Sequence, residues 1–135
     1  MVQIRCDGLK TMARILIAED EEALCALCAR ALTSDGHEVM TASDGSAALD
    51  LLAREEGRFD LLITDIRMPI MDGIALALAA VRDFPDLVIL LMTGYADQRE
   101  RASGLDAIVR DVISKPFTVA TLRDAVNAAL AVKAG

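Results

Sequence analysis

The chain has 135 residues, a length that suits one domain around one core. Hydrophobic residues make up 54%, with one Tyr, three Phe and no Trp among them, so the core must be assembled from Ala, Leu, Ile, Val and Met. Lys and Arg total 14 against 21 Asp and Glu, a formal net charge of −7, which repels a phosphate backbone and argues against a nucleic-acid partner.

No apolar run approaches the ~18 residues of a membrane span. The N-terminus lacks the apolar segment of a signal peptide, so the expected location is cytoplasmic. Cys6, Cys25 and Cys28 are an odd set, which argues against a disulfide framework. Cys25 and Cys28 form a C-x-x-C, but the sole histidine is His37 and no second pair exists. The pair falls inside a helical pattern and reads as small apolar side chains on that helix.

Residues 1–12 show no clear period, contain the turn signal Asp7-Gly8 and read as a tail; residues 13–133 read as one domain. A first strand covers Arg14–Ala18. A helix follows from about Glu21 to Ser34, with Leu24, Leu27, Cys28, Ala31 and Leu32 at helical spacing. Asp35-Gly36 ends it, and His37–Ala42 is a second strand. Ser43 can cap a second helix running to about Glu56. The third strand is Phe59–Thr64 and ends at Asp65; the loop Ile66–Met71 contains Pro69. Asp72 can cap a helix over Gly73–Phe84, and Pro85-Asp86 turns into a fourth strand, Leu87–Met92. Thr93-Gly94-Tyr95 leads to a short polar helix, about Asp97–Ser103. Ile108–Ser114 is the fifth strand, Lys115-Pro116 follows, and Thr118 can cap a last helix to about Val132.

These are five βα units. Strands that are apolar throughout indicate a parallel sheet covered on both faces. The expected fold is α/β: a flavodoxin-like three-layer sandwich with strand order 2-1-3-4-5 and a crevice where strands 1 and 3 part. In that order the carboxyl ends of strands 1, 3, 4 and 5 bring together Glu19, Asp20, Asp65, Thr93 and Lys115. Three adjacent carboxylates repel one another, and a hard divalent cation removes the penalty. Oxygen-only ligands, completed by waters and a substrate phosphate, describe Mg²⁺. A carboxylate can attack phosphorus, a lysine can neutralise the equatorial oxygens and a hydroxyl can hydrogen-bond one of them.

The segments ILIAEDEE, LLITDIRMPIMDG, ILLMTGYA and VISKPF resemble the signature blocks of response-regulator receiver domains. The resemblance spans about Arg14 to Val132. It implies that Asp65 accepts a phosphoryl group from the phosphohistidine of a histidine kinase or histidine phosphotransferase. Glu19 and Asp20 would be the acid pair at the metal, with Asp65 and the backbone carbonyl of Arg67 as further ligands. Thr93 would bind a phosphoryl oxygen and Lys115 would form the ion pair. No enzymatic activity is implied beyond the chain's own phosphorylation and dephosphorylation. The stretch from Ile63 to Asp106 is further similar to the CpdR family, single-domain cell-cycle regulators of alphaproteobacteria. That similarity implies a phosphorylation-controlled adaptor for the ClpXP protease.

Pro116 is expected in a cis peptide, in a turn that aims Lys115 at Asp65. Arg67 and Tyr95 are expected to gate the mouth of the site. Many receivers carry an aromatic residue three positions before the lysine, but here Val112 stands there. Tyr95 is then expected to serve as the switch, moving with Thr93 and the short helix after it. The chain ends just after its last helix, which implies signalling by a changed binding surface and not through an attached effector. A haloacid-dehalogenase-type phosphatase would need a second Asp two residues after Asp65, where Arg67 stands. A flavodoxin would need a phosphate-cradling loop where Glu19–Glu22 stand. A phosphate-shuttling receiver would carry the same residues. A pseudo-receiver would keep the fold without the chemistry, and the complete acid, Thr and Lys set argues against it.

Overall fold

The computed structural model describes residues 3–4, 10–11, 13–94, 104–105 and 107–134. Tyr95 and the expected helix Asp97–Ser103 lie outside them, as does most of the expected tail. Within that tail Gln3–Ile4 and Lys10–Thr11 pair antiparallel, Gln3 opposite Thr11.

The main sheet contains β1 (Arg14–Ala18), β2 (Glu38–Ala42), β3 (Leu61–Asp65), β4 (Val88–Thr93) and β5 (Asp111–Ser114). The helices are α1 (Glu22–Ser34), α2 (Gly45–Arg54), α3 (Gly73–Asp83) and α4 (Val119–Ala134). All strand pairs are parallel in the order β2-β1-β3-β4-β5, the order expected from the sequence. Alternate residues of each strand serve opposite faces. Leu16, Leu62, Ile89 and Leu91 pack toward α2 and α3, through Leu52, Leu76 and Ala80. Ile15, Ile17, Ile63, Leu90 and Met92 pack toward α1 and α4, through Cys28, Leu32 and Val126. Burial pushes the Cys28 thiol up to about 11, so it stays protonated, as a core residue should. Among the described residues no helix is long and apolar enough to cross a membrane.

Several boundaries differ from the sequence reading, each for a local reason. The cap of α2 is Asp44, not Ser43: its carboxylate accepts the Ala47 N–H at 2.8 Å, three residues on. The fifth strand begins at Asp111, not Ile108. Ile108 and Val109 instead turn back to the Leu105 carbonyl, and ladder pairing starts only at Leu90 opposite Asp111. Phe59 and Asp60 precede β3. Asp60 accepts the Arg14 N–H at 2.9 Å, outside the ladder.

Arg14 ties the end of the sheet away from the acid cluster. Its guanidinium meets Glu38 and Glu55 at 2.7 Å each, donates to the Arg58 carbonyl at 2.6 Å and lies 4.8 Å from the Phe59 ring centroid. At the same end His37 is buried, and its Nδ1 has no partner among the described residues. Burial lowers its pKa below the usual 6.5, only partly opposed by Asp35. As pH falls the unfolded chain therefore takes up this proton before the folded one does. The contribution is complete above the unfolded pKa and is lost as pH falls through it. Urea midpoints should drop between pH 7.5 and 5.5, and His37→Gln should flatten that slope; parallel slopes would assign the drop to other groups.

Candidate functional site

Each parallel strand delivers its last residue to the same edge of the sheet. β1 runs out into Glu19-Asp20, β3 ends at Asp65, β4 ends at Thr93, and Lys115 follows β5. The Lys115 N–H donates to the Thr93 carbonyl at 2.6 Å, which extends the ladder by one bond. The Lys115–Pro116 peptide is cis. Lys115 Nζ then reaches across two strands, to Glu19 Oε1 at 2.7 Å and Asp65 Oδ2 at 3.0 Å.

Every sequence-predicted group in the described region meets here. Glu19, Asp65 and Thr93 are buried, whereas Asp20 and Arg67 are exposed. Glu19, Asp20, Asp65 and Arg67 line a cleft of about 520 Å³ together with Lys115, Gly94 and Phe117. Carboxylate oxygens of Glu19, Asp20 and Asp65 all fall within 4.8 Å of one another. This all-oxygen donor set fits a hard divalent cation. Partial desolvation, then a hydrogen bond with Glu19, holds the Asp20 pKa above the ordinary carboxylate value. Burial disfavours the Lys115 ammonium, but its bonds to Glu19 and Asp65 outweigh that and hold its pKa above the usual lysine value.

Three features were not read from the sequence. Glu19 is already committed at both oxygens, since Oε2 accepts the Glu21 N–H at 3.0 Å. Asp65 Oδ1 accepts the Ile66 N–H at 2.9 Å, so the loop after β3 hangs from the carboxylate itself. Gly73 lies directly against the Asp65 carbonyl, with no room for a side-chain carbon, and its N–H donates to the Ile66 carbonyl at 2.8 Å. Asp72-Gly73 at a helix start was visible in the sequence, but the close approach was not. Among the described residues the buried Thr93 Oγ1 has no partner, a hydrogen-bonding capacity that a bound anion could use.

The chain belongs to the response regulator receiver domain family, whose model matches residues 15–127. It is therefore a receiver domain of two-component signalling. It is 35% identical over 115 residues to the transcriptional regulatory protein TcrA of Mycobacterium tuberculosis, covering 85% of this chain and 45% of that protein. To the response regulator MprA of Mycobacterium leprae it is 36% identical over 117 residues, covering 87% of this chain and 50% of that protein. The chain thus spans about half the length of these relatives. Among solved structures it is similar to a receiver domain protein from Clostridium thermocellum, at TM-score 0.82 and 27% identity, covering 90% of this chain and 96% of that one. A CheY-like receiver from Methanospirillum hungatei gives TM-score 0.82 and 28% identity, with the same coverage of both chains. Receiver domains bind Mg²⁺ through acidic residues, and the cluster at Glu19, Asp20 and Asp65 is of that kind.

Gly73→Ala tests the coupling between α3 and the site. Its methyl must displace the backbone of Asp65, so stability should fall by about 1–3 kcal/mol, the usual cost of overpacking. The amide resonances of 65 and 66 should shift with it. An unchanged urea midpoint would show that the contact is easily relieved.

Proposed function

We propose that the chain is a phosphorylation switch that accepts on Asp65 a phosphoryl group from a phosphohistidine of a histidine kinase or histidine phosphotransferase. The observation that carries this reading is the meeting of Glu19, Asp20, Asp65, Thr93 and Lys115 at one sheet edge. In the transfer an Asp65 oxygen bonds phosphorus while the P–N bond breaks and the donor imidazole leaves. Lys115, within 3.0 Å of Asp65, can follow the charge as it moves from carboxylate to phosphoryl oxygens. Thr93 Oγ1, buried and without a partner among the described residues, can donate to one of those oxygens. When bound by Glu19, Asp20 and Asp65 with the Arg67 carbonyl, Mg²⁺ supplies further neutralisation. Arg67, exposed at the cleft, would flank the mouth and limit hydrolytic water, with Tyr95 as its partner on the next loop. The chain catalyses only its own modification and its reversal, and the relay runs in the cytoplasm.

Acetyl phosphate with Mg²⁺ should label wild type once and leave Asp65→Ala unlabelled by intact-mass analysis. Asp20→Ala should lower Mg²⁺ affinity by roughly tenfold or more, since outer-sphere changes alone cost that much. Labelling of Asp65→Ala at the wild-type level would place the acceptor elsewhere, and absent labelling of wild type would favour a pseudo-receiver.

The output in this reading is an altered binding surface beyond Thr93, serving as a phosphorylation-controlled adaptor for ClpXP in cell-cycle control. Support comes from the similarity of residues 63–106 to the CpdR family. The net charge of −7 favours protein partners over nucleic acid. Unmodified protein should retain purified ClpX on an affinity column, and beryllofluoride with Mg²⁺ should release it. No retention in either state would leave a phosphate-shuttling receiver as the better description.

A further inference from the structure

The outer face of α3 is apolar where a surface helix is ordinarily polar. From Gly73 to Val81 the chain reads GIALALAAV, nine residues without a charged or hydrogen-bonding side chain. Leu76, Ala77 and Ala80 enter the core. On the other side Ala75 is exposed and Leu78 is 49% exposed. Just before the helix Ile70 is 83% exposed. Ile74, Leu78 and Val81 recur at spacings of four and three, so they share one side of the helix. Val81 also lines a cleft of about 230 Å³ with Pro85, Val88 and Ile108. An apolar knob thus stands at one end of α3, an apolar hollow at the other, and an apolar side joins them.

This face is complementary to itself. In an antiparallel pair of α3 helices related by a two-fold axis at the level of Leu76, Leu78 of each helix faces Ile74 of the other. Ile70 of each then falls at the end that carries Val81 and the hollow. One register satisfies both matches, because 74 and 78, and 70 and 82, share the same midpoint. Ala75, exposed beside the seam, is small enough to let the helices approach closely. Charge sets the direction. Asp72 stands at the start of α3 and the exposed Arg82 near its end. Antiparallel pairing brings each Arg82 to the acidic end of the other helix, whereas parallel pairing sets like ends together. Arg82 has Asp83 at 3.2 Å, but an exposed pair of this kind is weak and gives way readily. None of these residues lines the acid cleft.

We propose that α3 is a self-association face. Two copies of the chain pair antiparallel through Ile74 and Leu78, and each seats its Ile70 in the hollow at the far end of the other's α3. The interface uses the same patch on both copies, so it closes at two. Its apolar drive must exceed the repulsion between two chains of net charge −7, which acts at long range and is screened by salt. Pairing therefore tightens as salt rises, whereas a contact held mainly by charge would loosen.

Sedimentation of the full chain over a concentration series reads the association. Wild type should pass from monomer to dimer and no further, with a lower dissociation constant in higher salt. Leu78→Glu and Leu78→Lys should each self-associate at least about tenfold more weakly, since each sets like charges in the seam. Amide spectra unchanged outside α3 would show that both variants fold. Ile70→Glu, at the more exposed loop position, repeats the test should either fail to fold. An equimolar mixture of the two Leu78 variants should regain dimer. In the proposed register the two 78 positions lie only about 6 Å apart along the axis, four residues of helix rise, within reach of a Glu–Lys contact. Wild type that stays monomeric at every soluble concentration would overturn the proposal, as would association that loosens with salt. Dimers undiminished in Leu78→Glu and Ile70→Glu would overturn it too. So would a mixture that remains monomeric, because some surface other than α3 would then face Leu78.

Discussion

Two buried carboxylates and a third at the surface face one another at the end of a sheet whose interior is aliphatic, and one ammonium stands between two of them. Glu19 and Asp65 come from strands that neighbour each other, so their approach is imposed by the ladder. Without a cation their repulsion in a partly desolvated cleft would oppose the pairing of β1 with β3. Lys115 offsets it from a third strand, at 2.7 Å and 3.0 Å. The fold and the site are therefore one problem. The lysine that would neutralise a phosphoryl group also holds the resting protein together.

This constraint explains why the loops at this edge are anchored to the carboxylates and not merely near them. Glu19 takes the Glu21 N–H as α1 begins, and Asp65 takes the Ile66 N–H as the next loop begins. Each acid thus joins the charge cluster to a backbone segment. Altering charge at Asp65 changes the electrostatics and the backbone together, which a switch requires. At the opposite end the ties are of another kind. Arg14 has Glu38, Glu55 and the Arg58 carbonyl as fixed partners, and nothing there calls for a change of state.

The sheet was legible because parallel strands buried on both faces are written as continuous apolar runs, and ILIA, LLIT and VILLM are such runs. The strand order then placed Glu19, Asp20, Asp65, Thr93 and Lys115 together without knowledge of any side-chain angle. What the pattern could not convey was where pairing starts. Ile108 and Val109 are apolar enough for a strand, yet they turn, since the β4 partner begins opposite Asp111. Nor could it show that Asp44 caps α2 in place of the expected Ser43, since the reach to the Ala47 N–H decides. Side-chain commitments such as Lys115 to Glu19 depend on distances across three strands, which spacing along the chain does not encode.

Ile70 lies beyond sequence reasoning for a different reason. Propensity places glycine or asparagine at positive φ, so an isoleucine there goes against the local rule. Glu56 also breaks it, at φ of 56°, but there the chain is leaving α2. The Gly57 N–H returns to the Leu52 carbonyl at 2.7 Å, an ordinary helix-terminal bond that offsets the cost. Ile70 sits in no such helix-terminal motif, and its side chain faces solvent. A local rule broken with compensation is a feature of the fold. Ile70, at φ of 70°, is held in the same way by the bonds that close its loop, from the Met71 N–H to the Pro69 carbonyl at 2.7 Å and from the Gly73 N–H to the Ile66 carbonyl at 2.8 Å.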